Sequence, residues 1–356
     1  VYLGKDSDTG KSGTFIMTSG SIIGCAAQLG GGVYVTSGCT FVMATSSNIH
    51  NCIANNDGGG VINHGTFQMR GGTISTCTTV AFGGGGVCNN GTFIMSDGMI
   101  KGCTSPDGQY ASGGGVRNSN QFTMTGGMIG DPDNENDASH VYNTSSQETT
   151  LTISGNAKIY TDITNVGILN ADGGEIAGTM TNDTNRYGTG SEGAAGSTEF
   201  HGKVTNTGTI RKGTFKNEVI NESSGTINGG TFTGAITNND GMVLDGDFSG
   251  ATLNGMLVIT FDPNNGDQPS TQKVNWSKDG AALTAPDPVP TNEGHSIEGW
   301  YYDNNGTETK WNFDTDTVKC TMTLKAKWEL STYSVTLQTH GGTIASGKEV
   351  TGYTCL

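Results

Sequence analysis

The sequence predicts an all-β chain: a parallel β-helix solenoid over residues 1–255, a small β module over 256–330, and the truncated start of a further β module over 331–356. Three observations carry this expectation. Short phrases recur in register about every 26 residues, each phrase alternates apolar and polar side chains, and glycine and asparagine stand between them.

Composition narrows the classes first. Of 356 residues 58 are Gly, only 14% are charged, and 18 basic against 33 acidic side chains leave a net charge of −15. So few charges exclude a coiled coil, a helical bundle and a disordered polyampholyte. The acidic balance argues against a nucleic-acid partner, which needs a basic footprint on phosphate. No run of 18 apolar residues occurs, so no membrane span is expected. Val1-Tyr2-Leu3-Gly4 opens without Met or a leader and reads as a stretch of a longer chain.

The solenoid rests on three columns. Gly13-Thr14-Phe15-Ile16-Met17 is followed by Cys39-Thr40-Phe41-Val42-Met43, Gly65-Thr66-Phe67-Gln68-Met69, Gly91-Thr92-Phe93-Ile94-Met95 and Phe122-Thr123-Met124. Gly-Gly-Gly-Val recurs at Val33, Val61, Val87 and Val116, and a cysteine column runs Cys25, Cys52, Cys77, Cys103. Period-2 alternation marks each phrase as a short strand, and no stretch has helical spacing. Three strands and three turns in about 26 residues make one coil, hydrogen-bonded to the next at about 4.8 Å. Phe and Met of each phrase should point inward, as should the Val column and the asparagines two residues after it, Asn63, Asn89, Asn118 and Asn143. The same column reappears at Asn182, Asn206, Asn221 and Asn238. The glycine triplets read as turns.

Further along, the coils change size. Phe215, Phe232 and Phe248 follow one another more closely than Phe15, Phe41, Phe67 and Phe93 do, which predicts smaller coils. Residues 131–203 give no register from sequence, and 183–197 read as a protruding loop. Ten to thirteen coils are expected in all. On these phrases the chain resembles the right-handed, pectate-lyase-like β-helix family. The right-handed winding is implied by that resemblance.

Composition shifts near Gly255. All 4 Trp and five of the 7 Pro lie beyond residue 260. Phe261-Asp262-Pro263-Asn264-Asn265-Gly266, Gly294-His295-Ser296-Ile297-Glu298-Gly299-Trp300-Tyr301, Trp311-Asn312-Phe313 and Met322-Thr323-Leu324-Lys325-Ala326-Lys327-Trp328 resemble the Listeria–Bacteroides repeat, a β-grasp-like module of bacterial surface proteins. The resemblance implies a structural spacer outside the cell and brings no catalytic residues. Residues 331–356 are too few to build a core of their own.

Chemistry-bearing residues are sparse. The cysteines of the column recur at equivalent positions, so they stack as reduced apolar thiols more naturally than they staple distant segments. They form no tetrahedral zinc cage. Asp131, Asp133, Glu135 and Asp137 crowd one loop with hard oxygen donors and are candidate calcium ligands. Tyr34, Arg117 and Tyr142 project outward from the strand column behind the glycine triplets and are candidate ligand-binding residues. No cofactor is expected apart from that calcium. The function expected is an extracellular, cell-surface or cell-wall-attached bacterial adhesin-like protein, non-catalytic and monomeric. Its β-helix surface would be offered to a glycan or a host or other extracellular protein. The alternative is a carbohydrate-active enzyme, a calcium-dependent polysaccharide lyase or a glycosidase. Lyases of the resembled fold pair calcium carboxylates with a basic residue, and Arg117 lies within a few coils of the acidic loop. A glycosidase would need clustered carboxylates.

Overall fold

The structure is a computed structural model describing residues 1–6, 9–106, 113–134, 137–144, 149–182, 198–277, 279–304, 306–334, 338, 340–346, 348 and 352–354. Every regular element among them is a strand. Two compact units are formed, Val1–Gly255 and Met256–Leu356.

The first unit is a parallel β-helix. Among the described residues, eleven strands stack in one parallel sheet from Tyr2–Leu3 to Ala235–Asn239, one per coil. A second parallel sheet begins with Thr14–Ile23, Thr40–His50, Thr66–Ser75 and Thr92–Lys101. A short third sheet, Ala26–Ala27, Ile53–Ala54 and Thr78–Thr79, belongs to the first coils. Register is like upon like. Phe15, Phe41, Phe67, Phe93 and Phe122 are Cα partners in turn. Their rings stack at 4.5–5.4 Å with planes within 10°. Phe41, Phe67, Phe93 and Phe122 are wholly buried, and Met43, Met69, Met95 and Met124 beside them equally so.

The asparagine column is longer than its sequence signal. Asn63, Asn89, Asn118, Asn143, Asn165, Asn182, Asn206, Asn221 and Asn238 form an unbroken ladder. Each Nδ2 donates to the next Oδ1 at 2.7–2.9 Å. Asn165, which the sequence pattern does not reveal, fills the gap between the two halves. The amides also cap turn backbone: Asn118 Nδ2 reaches the carbonyls of Asn120 and Thr150 at 3.0 and 2.9 Å. Burying so many amides is tolerated because each finds its partners within the stack.

The described residues between 131 and 203 acquire a register that the sequence alone does not supply. Phe122 is followed in its column by Leu151 and then Leu169. A second column runs Ile22, Ile49, Ile74, Ile100, Ile129, Ile159, Ile176 and continues as Phe200, Phe215 and Phe232. The later Gly-Thr-Phe phrases therefore occupy a different side of the coil from the earlier ones, although they read alike. Coils shorten as expected: one full turn carries Val33 to its partner Val61, but only Val204 to Val219 further along. The segment 183–197 lies outside the described residues.

The glycine triplets are only partly turns. Gly58 has φ of 72° and makes the turn, but Gly59 and Gly60 have ordinary φ and are needed for close approach. A Cβ on Gly60 would lie 2.6 Å from the Gly86 carbonyl oxygen and 2.9 Å from Ile74 Cγ2. These tracts bond to one another between coils, Gly60 N–H to Gly85 C=O at 2.9 Å and Val61 N–H to Gly86 C=O at 2.9 Å. The excess glycine thus lets one wall of the coil lie against its core.

The second unit is a mixed sheet. Met256–Phe261 pairs antiparallel with Ser270–Asn275, while Ile259–Asp262 runs parallel to Met322–Lys325. His295–Asn304 adds antiparallel pairing to Lys325–Leu330 and a hairpin to Thr307–Lys310. Its core gathers Leu257, Ile259, Phe261, Trp276, Trp300, Trp311 and Leu324, and Trp328 Nε1 donates to the Pro263 carbonyl at 2.8 Å. Thr332–Ser334 pairs with Gly352–Thr354 as a separate antiparallel ribbon.

Two substitutions test this account by chemical denaturation. Gly60→Ala forces a methyl into occupied space and is expected to cost about 1–3 kcal/mol. Asn118→Ala strips partners from Asn89 and Asn143 and is expected to cost about 2–3 kcal/mol, because buried amide groups lose their bonds.

Candidate functional site

The middle residue of each three-residue strand in this sheet (Val-x-Asn in most coils, Val33-Tyr34-Val35 in an early one) points to the face opposite its two neighbours, so these residues also stack. Their order is Tyr2, Tyr34, Ile62, Cys88, Arg117, Tyr142, Thr164. Tyr34, Arg117 and Tyr142 are each half-buried, but the two members of the column between them are covered. Ile62 is 2% exposed and Cys88 not at all, because the head of each glycine tract packs over them: a Cβ on Gly58 would lie 2.8 Å from Ile62 Cβ, and one on Gly84 2.7 Å from Cys88 Cβ. Asp57 lies on this cover: Cys88 Sγ donates to Asp57 Oδ1 at 3.8 Å, and Asn90 Nδ2 reaches the same sulfur at 3.9 Å.

The cover divides the predicted residues into two places. Tyr34 stacks between Tyr2 and His64, with ring centroids at 5.3 and 5.6 Å. Arg117 and Tyr142 are direct neighbours, three and four rungs from Tyr34. At about 4.8 Å per rung, roughly 14 Å separate Tyr34 from Arg117. Arg117 is held from below, its Nη1 at 4.0 Å from Cys88 Sγ, while its Nε is buried with no hydrogen-bond partner among the described residues. A buried donor left open is the kind of group that a ligand acceptor satisfies.

Charge at this spot is shaped by burial. Desolvation pushes the Asp57 carboxyl above the ordinary range, and the Arg117 guanidinium pulls it partly back. Desolvation and then the Asp57 charge push the Cys88 thiol up to about 12. Cys88 therefore stays a thiol at neutral pH and is no nucleophile.

The acidic loop is occupied with structural work. Asp131 pairs with Lys101 at 2.9 Å, a hydrogen bond that holds its carboxyl below the ordinary range. Asp137 is buried and accepts backbone N–H bonds from Gly102, Asp131 and Ser139 at 2.8–3.1 Å. Asp133 is exposed, and its own N–H bonds to Asp131 Oδ1 at 3.2 Å. Glu135 lies outside the described residues. Among the described residues, no three His, Cys, Asp or Glu side chains gather as a metal-holding group.

Sequence reasoning missed a cleft in the second unit. It has a volume of about 510 Å³ and is lined by Phe261, Pro263, Thr284, Pro286, Pro290 and Trp300 among others. The clustering of proline and tryptophan beyond residue 260 is the signal that marks it, and Asp267, Gln272 and Asp287 add polar groups to its wall.

Fold and site together describe a glycine-rich β-helix joined in sequence to a small repeat module. Residues 258–327 match the model of the Listeria–Bacteroides repeat domain. Two proteins of Evansella cellulosilytica are similar to parts of the chain. A "Putative Gly-rich membrane protein" is 44% identical over 89 residues, 25% of this chain and 10% of that protein. A "Putative membrane protein" is 41% identical over 94 residues, 26% of this chain and 13% of that protein. The chain thus spans little more than a tenth of the relatives it matches. No helix is long and apolar enough to cross a membrane among the described residues.

The charge pattern around Arg117 yields a sign that can be measured. Because the folded-state pKa of Asp57 is raised, its ionisation costs stability once the pH exceeds the ordinary carboxylate range. Asp57→Asn is expected to raise the melting temperature at pH 7 and leave it unchanged near pH 3, where both side chains are neutral. An equal shift at the two pH values contradicts the assignment.

Proposed function

We propose that this chain works outside a bacterial cell as an adhesin-like surface protein. Its β-helix presents a binding face to a glycan or to a host or extracellular protein, and the repeat module acts as a spacer. The observation that carries this reading is the pairing of a charge-poor solenoid with a surface-protein repeat at residues 258–327. The membrane-protein names of the two relatives support a place at the cell surface. A right-handed wind of the coils and kinship with pectate-lyase-like β-helices belong to the same reading. Right-handed crossover between parallel strands is the general rule.

The non-catalytic character is supported by how the polar groups are used. The asparagines and Asp137 serve the chain's own backbone or each other, and Asp131 is held by Lys101. Arg117 and Tyr142 together offer a guanidinium and a ring on adjacent rungs, a pair suited to sugars or to an acidic protein surface. One observation favours the enzyme reading, a lyase or glycosidase: Arg117 Nε has no hydrogen-bond partner among the described residues. In a lyase Arg117 would be the base, with calcium on Asp131, Asp133, Glu135 and Asp137.

Screening the full chain against acidic and neutral polysaccharides and extracellular matrix proteins separates the readings. Binding without turnover is expected, weakened about tenfold or more by Arg117→Ala, as the loss of a charge-assisted hydrogen bond implies. Release of an ultraviolet-absorbing unsaturated uronide, abolished by Arg117→Ala, would replace the adhesin with the lyase.

A further inference from the structure

Cys25, Cys52, Cys77 and Cys103 each follow the isoleucine column by three positions, and the backbone holds them rung upon rung. Ile53 N–H bonds to Cys25 C=O at 2.8 Å, and Thr78 and Thr104 N–H bond to Cys52 and Cys77 C=O at 2.9 Å. The thiols repeat one orientation. Cys52, Cys77 and Cys103 Sγ each donate to the carbonyl two positions back, at 3.5, 3.3 and 3.4 Å. All four are unbridged; three are wholly buried and Cys25 is half-buried at the end of the row. Each inner sulfur faces a glycine: a Cβ on Gly32, Gly60 or Gly86 would lie 3.3–3.5 Å from it.

The spacing decides what the row can hold. A disulfide needs Cβ atoms about 3.8 Å apart, so bridging two rungs that stack at about 4.8 Å requires the coils to draw together. Zinc needs a tetrahedral cage, and no third ligand converges on any pair among the described residues. Two metal–sulfur bonds of about 2.3 Å laid end to end span about 4.6 Å, which matches the rung spacing without moving the backbone. Linear two-coordinate binding by thiolates is the habit of soft monovalent d10 ions, and thiolates select such soft metals.

We propose that this row is a binding site for soft monovalent cations of the Cu(I) and Ag(I) class, each held in line between the sulfurs of two successive rungs. One ion displaces two protons from two thiols and forms two metal–sulfur bonds, with no change of oxidation state. Four sulfurs make two such pairs, Cys25 with Cys52 and Cys77 with Cys103, and the half-buried Cys25 is the entry end.

The probe is silver(I) nitrate, titrated into the reduced full chain without oxygen and with a small monothiol in excess to strip single-cysteine sites. Native mass spectrometry is expected to find two retained ions per chain, and X-ray absorption two sulfur neighbours per ion. Cys25→Ser should reduce two ions to one, Cys52→Ser with Cys103→Ser should reduce two to none, and Cys88→Ser with Cys320→Ser should leave two. Two ions retained by the Cys52→Ser, Cys103→Ser chain, or three or four sulfur neighbours in the unaltered chain, would overturn the proposal. The sulfur count needs no variant, so it decides the matter even where a substitution prevents folding.

Discussion

In-register parallel stacking is the constraint on which everything else in the solenoid depends. Once each coil hydrogen-bonds to the next, a residue's nearest neighbours include its own counterparts above and below, at about 4.8 Å. Side chains that attract their own kind are favoured at such positions, and those that repel their own kind are not. Phenylalanine rings stack, amides pass a hydrogen bond down the row, and buried sulfurs line up. A repeated charge at one position would set like charges a rung apart. The scarcity of charge follows from this, and so does the surface pairing of the later coils, where Lys158 meets Glu175 at 3.1 Å and Lys203 meets Glu218 at 2.9 Å.

The same constraint explains which parts of the fold are legible in the sequence. Wherever three phrases keep step, as from Thr14 to Met124, like-on-like pairing can be read off, and the Cα partners follow it. Asn165 is hidden because Ile163-Thr164-Asn165 follows Val141 too soon for the established beat and has no glycine triplet before it. The move of phenylalanine from one column to another is hidden for a different reason. Gly-Thr-Phe is a local signature of a turn followed by an inward ring, and it is the same on either side of a coil. Which side it takes is set by pairing with Ile176, a contact that no short phrase records.

The candidate site is legible as a column and illegible as a surface. Strand alternation puts Tyr34, Arg117 and Tyr142 in one column, the register their strands share. Burial of Ile62 and Cys88 depends on where the preceding loop folds, and loops carry little periodic information. The covered centre leaves two separate spots on this column, one aromatic around Tyr34 and one cationic at Arg117. It also leaves Arg117 sitting on a sulfur and near a carboxylate whose charge is poorly solvated.

The shrinking coil has a mechanical meaning. In a parallel β-helix the hydrogen bonds lie along the axis, so tension applied along it falls on one rung at a time. Each rung that lets go feeds its contour into the tether, at roughly 3.4 Å for every amino acid freed. The coil from Val33 to Val61 would release about 95 Å on that scale, and the coil from Val204 to Val219 about 50 Å. Under axial tension the early coils would thus yield longer steps of extension than the last ones.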